Sequence, residues 1–122
     1  MIAWRWAAVL TGFGLMGLST AAEAQQQFNG NWSVLVVTEQ GDCDKAYRYP
    51  VAINNGSVRY AGDGPFNISG QVTRSGAVQG NIAGGQNRAA VRGRLSGGSG
   101  SGTWTLAGGR NCSGTWSADK RG

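Results

Sequence analysis

The sequence contains no histidine, the side chain that most often serves as a general base or a metal ligand in proteins. This absence excludes every serine–histidine and cysteine–histidine arrangement for nucleophilic catalysis. The few acidic residues show no paired spacing on one strand face, and the glycine runs lack the lysine and the following helix of a phosphate-binding loop. Because nothing fills the usual catalytic roles, we predict a protein that is not an enzyme and that holds no metal or cofactor.

Long apolar runs are also lacking, apart from one near the N-terminus. Ala7–Leu18 is apolar and follows a basic residue, and the small-residue pattern Ala22-Glu23-Ala24 comes shortly after it. This arrangement is typical of a secretory signal peptide, and the run is shorter than the about 20 residues of a spanning helix, although an N-terminal anchor is the alternative. We therefore predict a signal peptide over residues 1–24 and one domain over 25–122. The protein would be exported, periplasmic or extracellular, with no membrane insertion after cleavage.

Charged residues are scarce, at 14% of the chain, and the basic ones outnumber the acidic ones by 11 to 6. A basic exported domain attracts anionic polysaccharide or lipid head groups, and nucleic acid is not an expected partner. Arg88, Arg92 and Arg94 alternate with apolar residues, as on the solvent-facing side of a strand. Together with Arg74 they are either a merely soluble surface or a site for acidic polysaccharide.

Only two cysteines are present, Cys43 and Cys112. An even number of cysteines in an exported chain favours a disulfide, which would close a loop of about 70 residues and stabilise the fold by roughly 4 kcal/mol. Neither cysteine lies in a C-x-x-C motif, and no histidine is available to complete a metal site. We predict a structural disulfide between them.

Glycine, in contrast, is abundant, with 22 residues. A phrase of polar residue, glycine, polar residue and large apolar residue recurs every 9–13 residues, about the length of one strand and one turn. No stretch of the mature chain shows helical apolar spacing. We predict an all-β fold, a single small antiparallel up-and-down β-barrel of about eight strands, with a two-sheet β-sandwich as the alternative. The recurring glycines are Gly70, Gly80, Gly93, Gly102 and Gly114.

Each recurring glycine lies two residues from a large apolar residue, so both point to the same face of their strand. If that face is the interior, the glycine makes room for a neighbouring tryptophan and lets the strand bend. The interior aromatic residues either fill a core or line a ligand pocket, since an eight-stranded barrel allows both. The candidate ligand-binding residues are Trp32, Tyr47, Tyr49, Tyr60, Trp104 and Trp116.

Two local features refine this prediction. The first strand is expected over Phe28–Thr38, and Asn54-Asn55-Gly56 is expected to form a hairpin turn. Pro50 lies within the second predicted strand and has no N–H to donate, which predicts an edge, a seam or a bulge at that point.

Short motifs resemble those of known barrels. Gly30-Asn31-Trp32 resembles the G-x-W phrase that opens lipocalin-type barrels, and Gly102-Thr103-Trp104 and Gly114-Thr115-Trp116 resemble phrases of avidin-like barrels. Both families are calycin-like barrels, and the resemblance implies capture of a small apolar or cyclic ligand. None of their ligand-contacting residues can be matched to a position in this chain.

A second resemblance is to small periplasmic inhibitors of bacterial metalloproteases, which are exported calycin-like barrels with one disulfide and an early G-x-W. In that family the cysteines lie closer together, and an N-terminal segment enters the protease cleft. The resemblance implies a role for the loops or for residues 25–29 in binding a protein. The mature chain as a whole resembles short glycine-rich exported proteins of alpha-proteobacteria, a likeness that implies no activity.

These observations leave three functions open. The first is a binding module for a small apolar ligand, a glycan or an envelope component, in which aromatic rings supply the contact area. The second is a protein-interaction module such as a protease inhibitor. The third is a structural or adhesive envelope protein that uses the arginine face.

Overall fold

The computed structural model describes residues 26–122, and the predicted signal peptide, residues 1–24, lies outside the described residues. Eight strands follow one another in chain order and account for most of the described chain. The strands are β1 (Gly30–Gln40), β2 (Ala46–Asn54), β3 (Ser57–Tyr60), β4 (Asn67–Val72), β5 (Ala77–Gly84), β6 (Asn87–Ser96), β7 (Ser99–Ala107) and β8 (Cys112–Lys120).

The eight strands form a closed barrel. Each strand pairs antiparallel with the next, and β8 pairs with β1 to complete the circle. Within residues 26–122, closure gives every strand a partner strand on both sides. The predicted up-and-down barrel is therefore confirmed, and the two-sheet alternative is wrong. Within residues 26–122, no helix is long and apolar enough to cross a membrane.

The alternation of side chains along each strand separates an interior from an exterior face. Trp32 on β1, Trp104 on β7 and Trp116 on β8 are all buried inside the barrel, with 2%, 7% and 4% of their surface exposed. Arg88 and Arg92 on β6 point to solvent. The structure shows the inward and outward faces expected from the sequence. Side chains alternate along a strand, so the direction of one side chain determines the direction of all the others.

The end of the barrel where β1 begins is closed by the preceding segment. The first strand begins at Gly30 rather than at Phe28, and Phe28 is buried. The indole Nε1 of Trp32 donates a hydrogen bond of 2.9 Å to the carbonyl of Phe28, and Gln27 donates one of 2.7 Å to the carbonyl of Arg74. These contacts hold the segment across the end of the barrel.

A hairpin turn at the same end joins β2 to β3. Asn55 and Gly56 both have positive φ, 52° and 83°, as a type I′ turn requires. The backbone N–H of Asn55 donates a 2.7 Å hydrogen bond to the side-chain oxygen of Asn29. The predicted Asn-Gly turn is confirmed, and it is tied to the N-terminal segment.

The predicted disulfide is also confirmed. Cys43 in the β1–β2 loop is bonded to Cys112 at the start of β8, with Cα atoms 6.2 Å apart and a sequence separation of 69. Gly41 has a φ of 95°, and a Cβ at this position would lie 2.7 Å from the sulfur of Cys112. The loop thus lies close against the barrel wall at the end opposite Phe28.

Pro50 lies where one ladder of the barrel ends. It pairs with Ser33 of β1, while the β2–β3 ladder begins one residue later with Val51 opposite Tyr60. The carbonyl of Pro50 accepts a 2.9 Å hydrogen bond from the N–H of Ala61, but Pro50 has no N–H and cannot donate a hydrogen bond to β3. The seam expected from the sequence is therefore a shortened pairing between β2 and β3.

Candidate ligand-binding cavity

The barrel encloses a cavity of about 450 Å³. That volume lies within the range of about 300–1,000 Å³ that is usual for small-molecule sites. The aromatic side chains therefore do not fill the interior, which decides the alternative that the sequence left open. Aliphatic side chains from five of the strands form much of the wall: Val34, Val36, Val58, Ile68, Ile82 and Val91.

The cavity has a closed floor and an open mouth. Its floor lies at the Phe28 end, where Trp32, Ile53 and Leu95 are buried. Exposure rises along β2 from buried Val51 to Tyr47, which is 46% exposed. The interior is therefore shaped like a cup that opens at the end carrying the disulfide.

The indole of Trp116 covers a bare part of the wall. Gly93 on β6 and Gly102 on β7 are directly opposite each other, and a Cβ at Gly102 would lie 2.7 Å from the indole Nε1 of Trp116. That Nε1 donates a 3.0 Å hydrogen bond to the carbonyl of Arg92. The proposal that the recurring glycines make room for tryptophan holds at this pair.

Trp104 is held in the same manner on the neighbouring wall. Its Nε1 donates hydrogen bonds of 3.1 Å to the carbonyls of Val37 and Thr115, and it is paired across the strands with Gly114. Over residues 26–122, every buried side-chain nitrogen and oxygen has a hydrogen-bond partner. The indoles are therefore fixed against the wall, and they offer ring surface to the cavity but no free donor.

Four aromatic rings surround part of the mouth. Tyr49 is central, with ring centroids 4.8 Å from Tyr47, 6.3 Å from Tyr60 and 5.6 Å from Phe66. Tyr60 and Phe66 are 5.9 Å apart, and the pairs with Phe66 are edge-to-face, a favourable arrangement for aromatic rings. We call Tyr47, Tyr49, Tyr60 and Phe66 the aromatic rim.

The environment of Tyr49 raises the pKa of its hydroxyl. Partial burial raises the pKa of Tyr49 above its usual value near 10, and the neighbouring Tyr47, Tyr60 and Asp44 raise it further. The hydroxyl, like that of any tyrosine, is protonated at neutral pH and is a hydrogen-bond donor as well as an acceptor at the mouth.

Further polar groups occur among the cavity residues near the mouth, at the ends of their strands or in the adjoining loops. They are Thr38, Asp44, Asn87 and Arg110. The hydroxyl of Thr38 donates a 2.6 Å hydrogen bond to the carbonyl of Asp44, and the side-chain oxygen of Asn87 accepts one of 3.1 Å from the backbone N–H of Arg110. The floor is lined instead by buried apolar residues, so the cavity is apolar in its depth and polar at its opening.

The structure brings most of the candidate residues to one site. Tyr60 is the exception, because its ring is not part of the cavity wall and its hydroxyl donates a 3.0 Å hydrogen bond to the carbonyl of Asp63 in the β3–β4 loop. It contacts the cavity indirectly, through Tyr49 and Phe66. The candidates that line the cavity are Trp32, Tyr47, Tyr49, Trp104 and Trp116.

The candidate ligand-binding residues predicted from the sequence do not include the aliphatic residues and glycines of the cavity wall. Val36, Val58 and Val91 occupy inward positions of their strands, as the tryptophan candidates do on theirs. The alternation that placed the tryptophans inside also places these residues there, so the signal was present in the sequence. The aromatic candidates differ from these residues in contact area and not in the direction of their side chains.

The arginines outside the barrel form a separate surface. Arg88, Arg92 and Arg94 are exposed along β6, and Arg94 donates a 3.0 Å hydrogen bond to the carbonyl of Ser75, next to Arg74. This surface lies on the opposite side of the wall from the cavity.

Comparisons with protein-family models, with curated proteins and with solved structures gave no significant match. The class of the protein therefore follows from its own structure. It is a small closed antiparallel barrel of eight strands with an apolar interior cavity, an architecture consistent with the calycin-like barrels.

Proposed function

We propose that this protein is an exported, non-enzymatic binding module that holds one small apolar ligand inside its barrel. The observation that carries the proposal is the apolar cavity of about 450 Å³, open at one end and framed by aromatic rings. The Cys43–Cys112 disulfide fits an exported protein, because such bonds persist in oxidising compartments. We place the protein in the periplasm or outside the cell.

Binding would be driven by removal of apolar surface from water. Each buried CH₂ group contributes about 0.8 kcal/mol, so a ligand with ten buried carbons gains roughly 8 kcal/mol before the cost of its lost freedom. That gain corresponds to a dissociation constant no tighter than about 1 μM. The polar groups at the mouth would then orient the ligand rather than supply most of its affinity.

Two substitutions on β6 separate the interior from the exterior. Val91 lines the cavity, whereas its neighbour Ala90 is exposed on the outside of the barrel. Val91→Trp places a large ring in the cavity, and Ala90→Trp places the same ring on the outer face as a matched control. Both variants must first show the far-UV circular dichroism of the parent protein.

The test is a native mass spectrum of the oxidised protein recovered from the periplasm after expression of the full chain. We expect one small molecule on the parent protein and on Ala90→Trp, and none on Val91→Trp. If the parent is bare, tryptophan fluorescence is titrated with lipid, porphyrin and glycan panels. A flat response to all of them would refute the proposal.

The two other functions have their own tests. A protein-interaction module would lose its partner when residues 25–27 are deleted, without a lower Tm. In the structure, Gln27 and Phe28 contact the barrel end, so we expect this deletion to lower Tm. A structural or adhesive role of the arginine face predicts binding to acidic polysaccharide that disappears in high salt.

A further inference from the structure

One part of the cavity wall consists of bare backbone. Gly70 on β4 and Gly80 on β5 are directly opposite each other and belong to the cavity wall. The cavity also reaches Ser69, Gln79 and Asn81, which flank these glycines and are exposed on the outer face of the sheet. Because strand neighbours point to opposite faces, these three residues contact the interior through their backbone. We call this region the β4–β5 glycine wall.

A second glycine pair shows what such a wall accommodates. At Gly93 and Gly102 the indole of Trp116 covers the backbone. At Gly80, a Cβ would meet only backbone, 3.1 Å from the carbonyl oxygen of Ser69 and 3.6 Å from the Cα of Gly70. The same cross-strand arrangement is thus covered by a flat ring on one side of the barrel and open to the cavity on the other.

The surroundings of the glycine wall limit the chemistry of what can cover it. The indole N–H groups of Trp104 and Trp116 are bonded to backbone carbonyls, and the polar residues of the cavity lie towards the mouth. A polar group placed deep in the cavity would therefore lose its hydrogen bonds to water without replacement. The buried part of the ligand must be apolar.

We propose that the ligand carries a flat, fused-ring apolar group that covers the β4–β5 glycine wall, as the indole of Trp116 covers the Gly93–Gly102 pair. Its polar end points to the mouth, where the cavity residues include Arg110 and Thr38, and the Thr38 hydroxyl can accept a hydrogen bond while it donates one to Asp44. This inference rests on the proposed binding function and specifies its ligand class. A thick saturated or branched group of equal carbon number makes less contact with the even surface of two facing glycines.

The first measurement compares two probes of the same carbon skeleton, 2-naphthol and decahydro-2-naphthol. The rings of 2-naphthol are flat, whereas those of decahydro-2-naphthol are saturated and thick. Isothermal titration calorimetry of the oxidised protein with each probe gives two dissociation constants. We expect 2-naphthol to bind at least tenfold more tightly than decahydro-2-naphthol. A cavity that selects by hydrophobicity alone would not favour 2-naphthol.

The second measurement alters the wall itself. Gly80→Ala adds one methyl group to the glycine wall with only a small adjustment against the backbone of Ser69. Gly98→Ala in the β6–β7 turn is the control, because its Cβ would meet only the Cβ of Lys120, at 3.8 Å. We expect Gly80→Ala to weaken 2-naphthol binding at least fivefold and Gly98→Ala to leave it unchanged.

The outcomes separate this inference from the function on which it rests. Equal affinity for the two probes, or an unchanged affinity of Gly80→Ala for 2-naphthol, would overturn the flat-ring inference. If neither probe binds but the parent protein still carries a small molecule in its native mass spectrum, the inference fails and the binding module stands. If the parent is also bare and unresponsive to the ligand panels, both fail.

Discussion

The contact between Trp116 and its glycine pair leads to a sharp prediction about stability. Gly102→Ala adds a methyl group where the structure has no room, since its Cβ would lie 2.6 Å from the Cα of Gly93 and 2.7 Å from the Nε1 of Trp116. It would also meet the carbonyl oxygen of Arg92, which accepts the hydrogen bond of Trp116. The backbone and the indole must therefore both move.

The size of the effect follows from two opposing contributions. Overpacking a tight interior costs typically 1–3 kcal/mol, and here two neighbours must shift, which places the cost near the upper end. Replacing glycine by alanine also reduces the freedom of the unfolded chain, which returns about 0.4–1 kcal/mol. We expect a net loss of about 2 kcal/mol, which in a domain of this size lowers Tm by roughly 8–16 °C.

Gly80→Ala is the matched comparison, because Gly80 also faces a glycine across an interior strand pair but has no indole above it. Its loss should stay within about 1 kcal/mol, since only a small backbone adjustment is needed. Urea unfolding followed by tryptophan fluorescence measures both variants under the same conditions. If Gly102→Ala is as stable as Gly80→Ala, the reasoning that Trp116 requires a bare wall is refuted.

Two further predictions concern the open end of the barrel. The double variant Cys43→Ser/Cys112→Ser should lose about 4 kcal/mol of unfolding free energy, because the disulfide closes a long loop in the unfolded chain. Urea unfolding measures this loss, and a loss below about 1 kcal/mol would contradict the prediction. Tyr49 holds its proton more tightly in the folded than in the unfolded protein, so its contribution to stability is present below about pH 10 and is lost as pH rises further. Absorbance of tyrosinate near 295 nm should show a component that titrates above the usual pKa, and Tyr49→Phe should remove that component.

Much of the architecture could be predicted from local sequence patterns. The alternation of apolar and polar residues identified the inward faces, and the recurring turns indicated the number of strands. Closure followed from a physical argument, because a meander of eight short strands leaves exposed edges unless its first and last strands pair. The position of Phe28 was harder to predict from the sequence. Its alternation with Trp32 is the same whether Phe28 continues β1 or lies across the barrel end.

The candidate site was predictable only in part. The indoles of Trp104 and Trp116 were expected inside, and they are, but the sequence did not show that both would lie against the wall. Tyr60 was expected to contact a ligand, and its hydrogen bond to the β3–β4 loop depends on the path of a loop that has no periodic pattern. Side-chain orientation at the mouth is a tertiary property, because it depends on neighbours that are distant in sequence.

The sequence by itself determined the all-β meander, the inward faces and the disulfide partners, because each follows from local periodicity or from having only two cysteines. It did not determine whether the interior is filled. Gly70-Gln71-Val72 and Gly102-Thr103-Trp104 belong to the same repeated phrase, yet the wall at Gly102 is covered by Trp116 and the wall at Gly70 is open. Only the tertiary structure decides this, because the register of neighbouring strands determines which glycines a ring from another strand can cover, and the uncovered pair leaves the cavity.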